Sequence, residues 1–425
     1  MNESVPIRFG KGVYGASCAA VADVMRLEHP ADGLLSRFFR EHPNVGQQDR
    51  STVAETVYAI LRRRRLLDFL WPGADARELV LLTWAVLLGA NLRELEPIAN
   101  EAQSKRLAEA KAAARGDLPF AVACDLPDWV ISRLCVRRTE DEVLALARGL
   151  LVSAPLDLRV NLMKTTRDAV IARLAADGFS AAPTPISPVG VRLQGKPAIN
   201  RHPLFVDGSV EVQDEGSQLL AYLVGVRRGE MVVDFCAGAG GKTLALGMLM
   251  RSTGRLYAFD VSEKRLTNFK PRLARSGLSN VHPQRISGER DTRIGRLAGK
   301  IDRVLVDAPC SGLGTLRRNP DLKWRQQESS IEELCEKQRA ILSGAARLVK
   351  KGGRLVYATC SLLDEENAGT VSAFLQAHPD FRRVNASEVL AAERIMVAGG
   401  QDLELLPHAH GTDGFYAAVL ERKGE

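Results

Sequence analysis

Residues 231–243 read MVVDFCAGAGGKT, a short apolar run that turns at a cluster of glycines into a helix-prone segment. The first three residues are typical of a buried strand, and the glycines allow a tight turn before a helix. Further short apolar runs follow at 255–259, 303–306 and 354–358, with helical segments of ordinary length between them. Strands that alternate with helices in this way predict an α/β fold with a doubly wound, mostly parallel sheet.

The glycine-rich turn fits neither of two familiar phosphate-binding motifs. A P-loop needs glycine five residues before Gly241, where Cys236 stands. A dinucleotide fingerprint that starts at Gly238 needs glycine where Thr243 stands. The turn still lets a ligand approach the backbone, and Asp260, at the end of the next predicted strand, can accept hydrogen bonds from both ribose hydroxyls. We therefore expect a nucleoside cofactor without a pyrophosphate, and S-adenosylmethionine meets that requirement.

Two cysteines follow the last two predicted strands, in DAPC (307–310) and YATC (357–360). Because the carboxyl ends of parallel strands border one crevice, we expect both thiols to lie together there. Two thiols with an aspartate beside them suit covalent attack on an electron-poor ring, followed by removal of a proton. A disulfide or a zinc site is the alternative, but the seven cysteines are odd in number and scattered, and the sequence contains no C-x-x-C pair.

Composition limits the class of protein. A chain of 425 residues predicts two or three domains, and 45% hydrophobic with 26% charged residues is typical of a soluble globular protein. The most apolar stretch, 79–90, is too short to span a bilayer, and no signal-like segment opens the chain. We expect a cytoplasmic protein without membrane association, and its net charge of +7 favours a polyanionic partner.

Two basic clusters are candidates for contacts with such a partner. The arginines at 62–65 are as consistent with a solvated helix face as with binding. Residues 317–325 combine two arginines, Lys323 and a third arginine with Trp324, directly after the first cysteine motif. Cations mixed with an aromatic ring favour contacts to phosphates and bases.

Patterning divides the chain into three regions. The apolar spacing in the first region is helical, and Thr52 with Glu55 predicts a capping box at the start of one helix. The last apolar run, 414–420, follows a turn rather than a helix, which predicts an antiparallel edge strand. The predicted domains are an N-terminal all-helical domain at 1–140, a small α+β subdomain at 141–215 and a cofactor-binding catalytic domain at 216–425.

The cysteine motifs also carry a resemblance. Residues 307–324 (DAPCSGLGTLRRNPDLKW) and 357–367 (YATCSLLDEEN) resemble two motifs of the RNA cytosine-C5 methyltransferases of the RsmB/Nop2/Sun type, and 212–218 (VQDEGSQ) with the glycine-rich turn resemble two more. The helical region is similar in layout to the NusB-like RNA-binding domain of the bacterial 16S ribosomal RNA methyltransferase B subgroup. The resemblance implies a Rossmann-like methyltransferase domain, S-adenosylmethionine as cofactor, and RNA, specifically small-subunit ribosomal RNA, as partner.

The resemblance assigns roles that thiol chemistry alone leaves open. It implies Cys360 as the nucleophile toward C6 of cytosine and Cys310 as the residue that assists release, as or through a base. We expect Asp307 to hydrogen bond the N3/N4 edge of the base, with capping of the next turn as its alternative. Lys242 matches a family lysine that contacts cofactor or target, although a solvated lysine at a helix start would look the same. The predicted cofactor-binding residues are Cys236, Ala237, Gly238, Ala239, Gly240, Gly241, Lys242, Asp260, Glu289 and Asp307, and no metal site is predicted.

Two departures from the family pattern keep other functions open. The family turn carries Ala-Pro where this chain has Gly238-Ala239, and Glu289 stands near the place of the family aspartate expected to hold the adenine amino group. The alternative function is therefore a non-catalytic RNA-binding ribosome assembly factor with a degenerate cofactor loop. An amino-group methyltransferase is a third hypothesis, but the Asp/Asn-Pro-Pro-aromatic turn typical of that class is absent from the sequence. We expect a monomer.

Overall fold

The computed structural model describes residues 9–397 and 399–424, which divide into two compact units. The first unit contains the described residues up to Ser153 together with Thr315–Glu328. The second contains Ala154–Gly314 and the described residues from Ser329 onward. Within these residues, no helix combines the length and the apolar character needed to cross a membrane.

The first unit is helical, as the spacing of its apolar residues predicts. Its helices are α1 (Lys11–Val24), α2 (Ala31–Glu41), α3 (Gln47–Arg62), α4 (Arg64–Leu70), α5 (Ala76–Val86), α6 (Leu92–Leu95), α7 (Glu101–Ala113), α8 (Phe120–Cys124), α9 (Asp128–Cys135) and α10 (Glu140–Leu151). Val53, Val57 and Ile60 of α3 pack in its core with Trp84 of α5. The indole N–H of Trp84 donates to the hydroxyl of Thr56 at 2.8 Å, so the one polar atom of this buried ring is satisfied.

The start of α3 differs from the prediction. The prediction of a capping box formed by Thr52 and Glu55 is wrong, because the helix begins at Gln47. The residues before Thr52 include good helix formers, which extend the helix toward its amino terminus. Thr52 therefore lies in the second turn, where its hydroxyl donates to the carbonyl of Gln48 at 3.4 Å.

The segment Thr315–Glu328 packs in the helical unit, where the ammonium group of Lys323 is hydrogen bonded. The indole N–H of Trp324 donates to a main-chain carbonyl of α3 at 2.7 Å. Lys323 is 2% exposed and donates to the main-chain oxygens of Arg62 and Asp125. The prediction that Lys323 contacts phosphates is therefore wrong, because its ammonium group is buried among protein oxygens.

The other basic cluster, residues 62–65, is also partly engaged within the helical unit. The guanidinium of Arg64 lies over the ring of Trp324, 5.5 Å from its centroid. Arg65 pairs with the carboxylate of Asp128 at 2.6 Å. These contacts give the cluster a packing role, and its contact with a polyanion stays a prediction.

The second unit begins with a small antiparallel sheet of strand order β2-β3-β1-β4. Its elements are β1 (Leu156–Val160), α11 (Arg167–Ala176), β2 (Ala181–Pro183), β3 (Gly190–Leu193), α12 (Pro203–Val206) and β4 (Val210–Val212). This confirms the predicted α+β character of the stretch.

The larger sheet of this unit has the strand order β10-β12-β9-β8-β5-β6-β7, with β11 paired to β12. Its elements and the helices between them are α13 (Glu215–Val224), β5 (Met231–Asp234), α14 (Gly241–Leu249), β6 (Arg255–Asp260), α15 (Glu263–Ser276), β7 (Val281–Arg285), α16 (Thr292–Gly295), β8 (Ile301–Asp307), α17 (Leu322–Arg325, in the helical unit), α18 (Ser330–Ala346), β9 (Val349–Thr359), α19 (Ala368–Ala377), β10 (Phe381–Val384), α20 (Ala386–Ala392), β11 (Leu403–Leu405), α21 (Pro407–His410) and β12 (Phe415–Arg422). Strands β5 to β9 pair in parallel, which confirms the predicted doubly wound, Rossmann-like fold. The chain winds outward in both directions from β5 and β8, and ligands bind beyond the carboxyl ends of strands at such a switch point.

The last strand is antiparallel, as predicted, but it is not at the edge of the sheet. Strand β12 pairs with β9 on one side and with β10 and β11 on the other. Residues 415–420 are all buried, because β9 pairs along one side of the strand and β10 and β11 share the other side. Strand β10 reads FRRV and gives little apolar signal, so the sequence does not indicate the strand that covers β12.

Candidate active site

A cavity of about 700 Å³ lies beyond the carboxyl ends of β5, β6 and β8, at the switch point of the sheet. The predicted cofactor-binding residues on its wall are Cys236, Ala237, Gly238, Ala239, Gly241, Lys242, Asp260, Glu289 and Asp307. Gly240 is not on this wall. Its φ is +82°, and a Cβ there would come within 2.0 Å of the ring of Phe269. Glycine is therefore required at this position for the turn and for packing.

Asp260 holds the glycine-rich turn against the end of β6. Its carboxylate accepts hydrogen bonds from the N–H of Gly238 at 2.8 Å and from the N–H of Ser262 at 2.7 Å, one on each oxygen. Gly238 has a φ of +55°, a conformation that glycine adopts without strain. Each carboxylate oxygen has a second lone pair, so Asp260 retains acceptor capacity for a pair of hydroxyl groups.

Asp234 is a wall residue that our reading of the sequence missed. Its Oδ2 accepts a hydrogen bond from the hydroxyl of Thr243 at 2.7 Å, while its Oδ1 is buried without a partner among the described residues. Burial raises the pKa of Asp234 to about 7, with the hydrogen bond from Thr243 opposing the rise and the charge of Asp307 adding to it. The signal was present, since an acid ends the first strand in MVVD.

Lys242 and Asp307 form an ion pair on the same wall, with 2.6 Å between Nζ and Oδ2. The ammonium group also lies 5.8 Å from the centroid of the Phe415 ring. Burial alone would lower the pKa of Lys242, but the Asp307 carboxylate outweighs it and raises that pKa above its ordinary value. Lys242 therefore stays protonated, and the pair places an ammonium group and a carboxylate side by side near the carboxyl ends of β5 and β8.

The structure brings the two predicted catalytic cysteines together. Their Sγ atoms are 3.4 Å apart, and both cysteines are free. This follows from the pairing of β8 with β9, which places Asp307 level with Ala358 so that both loops leave the sheet at the same height. The thiol of Cys360, then burial and the charge of Glu366, raise the pKa of Cys310 well above its ordinary value. Within the part of the chain that the structure describes, no three His, Cys, Asp or Glu side chains are grouped to hold a metal ion.

Family models match two parts of the chain. Residues 221–421 match the model described as 16S rRNA methyltransferase RsmB/F, and residues 126–200 match the ferredoxin-like domain of RsmF/B-like methyltransferases. The first range contains the cavity turn and both cysteine motifs. The second covers most of the small antiparallel sheet.

Individual proteins are also similar to the chain in sequence or in fold. The probable ribosomal RNA small subunit methyltransferase B of Synechocystis sp. is 32% identical over 94% of this chain and 97% of its own length. The crystal structure of PH0851 superposes with a TM-score of 0.78 at 26% identity, covering 98% of this chain and all of that one. A methyltransferase homologue from Pyrococcus horikoshii superposes with a TM-score of 0.60 at 28% identity, over 71% of this chain and 97% of that one.

Proposed function

Because the chain belongs to the RsmB/F family of 16S ribosomal RNA methyltransferases, we propose that it transfers a methyl group from S-adenosylmethionine to C5 of a cytosine in small-subunit ribosomal RNA. The observation that carries the choice of C5 is the pair of thiols 3.4 Å apart at the ends of β8 and β9. In this proposal the helical domain at 1–140 binds RNA, and the subdomain at 141–215 leads to the catalytic domain at 216–425.

The chemical difficulty is that C5 of cytosine is a poor nucleophile. The thiolate of Cys360 adds to C6, and the new S–C6 bond leaves an enamine whose electron density lies at C5. Asp307 accepts a hydrogen bond from the N4 amino group, and the neighbouring ammonium of Lys242 stabilises the charge that develops on the ring. The assignment of the attack to Cys360 rather than Cys310 rests on the family resemblance of the two motifs, because the two sulfurs lie together at 3.4 Å.

The cavity wall supplies the groups that would hold the cofactor. Asp260 suits the ribose hydroxyls and Glu289 the adenine amino group, and Asp234 lies beside them on the wall. When bound, S-adenosylmethionine supplies an electrophilic methyl group to C5. The two thiols are not among the residues that line this cavity, so the target base and the cofactor would occupy adjacent places.

Release restores the aromatic ring. The C5 proton leaves to the thiolate form of Cys310 or to a base that acts through this residue, the C5–C6 double bond re-forms, and the S–C6 bond breaks so that Cys360 departs as a thiolate. Cys310 is suited to this step because its sulfur lies against that of Cys360, next to the bond that must break.

A non-catalytic assembly factor is the alternative, since the turn has Gly238-Ala239 in place of Ala-Pro. The turn is nevertheless closed by hydrogen bonds from the N–H of Ala237 to the carbonyl of Phe259 and from the N–H of Gly240 to the carbonyl of Ala237, both at 2.8 Å. A preformed turn supports cofactor binding. Calorimetric titration with S-adenosylmethionine tests this, and an absence of binding at millimolar concentration would favour the assembly factor.

The roles of the cysteines have a direct test. We expect Cys310→Ser to accumulate a covalent RNA–protein adduct on denaturing gels, because attack proceeds and release fails. Cys360→Ser should form no adduct, and Cys135→Ser, an exposed cysteine in the helical unit, should behave as the wild type. Bisulfite sequencing of ribosomal RNA with and without the protein locates the methylated cytosine. Adduct in Cys360→Ser but not in Cys310→Ser would exchange the two assignments.

A further inference from the structure

A buried glutamate, Glu366, is hydrogen bonded to both of the loops that carry Cys310 and Cys360. Glu366 is fully buried, and its Oε2 accepts hydrogen bonds from the hydroxyls of both Ser311 and Ser361. These serines directly follow Cys310 and Cys360. The two hydroxyl oxygens lie 3.1 Å apart, so the loops converge on one carboxylate oxygen.

The other carboxylate oxygen is anchored as well. Oε1 of Glu366 accepts from the main-chain N–H of Ser311 at 2.8 Å and from the amide of Gln338 at 2.9 Å. The same Gln338 amide donates to the carbonyl of Pro309 at 3.0 Å, and the hydroxyl of Tyr357 donates to the main-chain oxygen of Glu366 at 2.6 Å. The carboxylate itself thus accepts from four donors: the two serine hydroxyls, the main-chain N–H of Ser311 and the amide of Gln338. Two carboxylate oxygens with two lone pairs each can accept four such bonds.

We propose that Glu366 is a positioning residue: with Ser311 and Ser361 it forms a clamp, here the Glu366 clamp, that holds the Cys310 and Cys360 thiols at the spacing the reaction needs. This inference rests on the proposed function. Attack at C6 and release of the C5 proton take place on adjacent ring atoms, so both sulfurs must be placed against one base at the same time. A displacement of about 1 Å at a reacting group can cost on the order of 100-fold in rate.

Glu366→Gln tests the clamp with a side chain of nearly the same size. In one orientation the amide nitrogen faces the main-chain N–H of Ser311 and that link breaks; in the other the serine hydroxyls must turn to accept from the amide, and hydrogen bonds to a charged carboxylate become weaker neutral ones. We expect kcat to fall about 100-fold, while the KM for RNA and the calorimetric affinity for S-adenosylmethionine stay within twofold of the wild type. The exposed neighbour gives the matched control, Glu365→Gln, which should keep the wild-type kcat.

A wild-type kcat in Glu366→Gln would overturn the proposal. Should that variant fail to fold, Ser311→Ala decides instead, because it removes one hydroxyl link and leaves the carboxylate in place. We expect its kcat to fall about tenfold at an unchanged KM. A wild-type kcat for Ser311→Ala would equally overturn the clamp.

A second readout needs no RNA and so separates the clamp from the proposed function. Diamide takes two electrons and two protons from a thiol pair, and Cys310 with Cys360 becomes a disulfide that peptide mass spectrometry detects. Because the clamp keeps the thiols together, we expect this disulfide to form at least fivefold more slowly in Glu366→Gln. An unchanged or faster rate overturns the clamp, whereas a wild type that methylates no cytosine overturns the proposed function alone.

Discussion

Two lysine–aspartate pairs, one in each unit, contain the same groups and differ in their separation and in how far water reaches them. Lys242 and Asp307 meet at 2.6 Å on the wall of the cavity. Lys323 and Asp125 lie 3.7 Å apart between Nζ and Oδ1 inside the helical unit, where both side chains are nearly inaccessible.

The surroundings of each pair shift the pKa of its lysine in opposite directions. Burial lowers the pKa of Lys323 to about 8, Asp125 opposes this, and the guanidinium groups of Arg63 and Arg62 add to the lowering. At the cavity the close carboxylate raises the pKa of Lys242 instead. The lesson is that a buried lysine near an aspartate can be a structural or a chemical group, and that the neighbouring charges distinguish the two. Substitutions that remove one ammonium at a time test this.

The largest effect is expected at the cavity pair. Lys242→Met should lower kcat by about 100- to 1,000-fold, because an ammonium aimed at developing charge is worth roughly 3–4 kcal/mol. The free energy of unfolding should fall by less than it does at the buried pair, since the Asp307 carboxylate, 29% exposed, keeps contact with solvent when its partner is removed. Transfer of radiolabelled methyl groups to RNA measures the first quantity, and urea denaturation the second. Lys264→Met, at an exposed position of α15, is the control; a wild-type kcat in Lys242→Met would remove the pair from the chemistry.

The buried pair should show the reverse pattern. Lys323→Met should lower the free energy of unfolding by about 3 kcal/mol, because it leaves the carboxylate of Asp125 with a weaker set of partners. The affinity for S-adenosylmethionine should be unchanged, since the residues that line the cavity belong to the other unit. Urea denaturation followed by tryptophan fluorescence and calorimetric titration measure the two quantities. Equal stability of Lys323→Met and the exposed control Lys105→Met would contradict the structural role.

The smallest effect is a dependence on pH. Between pH 8 and 10.5 Lys323 is protonated in the unfolded chain and mostly neutral in the folded one, so the unfolded state binds more protons and stability rises with pH. The free energy of unfolding of the wild type relative to Lys323→Met should therefore rise by about 1 kcal/mol per pH unit within that window. Denaturation curves of both proteins at pH 7.5, 9 and 10 measure this difference. A difference that stays flat or falls would show that Lys323 remains charged in the folded protein.

These pairs also show how far the sequence could lead. Rules for strand ends were sufficient to predict that the two thiols lie together and that Asp260 and the glycine-rich turn border one cavity, because local pattern determines where a strand stops; the thiols themselves lie outside the lining of that cavity. The same rules could not predict the burial of Lys323, since its partner Asp125 lies 198 residues away in the chain. The role of Glu366 could not be predicted from the sequence for a similar reason. It stands in a run of three acids, and packing alone distinguishes it from its exposed neighbour.

Trp324 and its segment have a consequence for how the protein is made. The helical unit begins at the start of the described chain, yet residues 315–328 complete it. These residues follow Ser153 by up to about 175 positions, and ribosomes add about 5–20 residues per second, so the unit waits roughly 10–35 s for its last part. During that interval the nascent helices expose the apolar surface that the indole ring later covers. Newly made chains should therefore be most vulnerable to chaperone capture and proteolysis in this window, and the helical region released as a separate fragment should be poorly soluble.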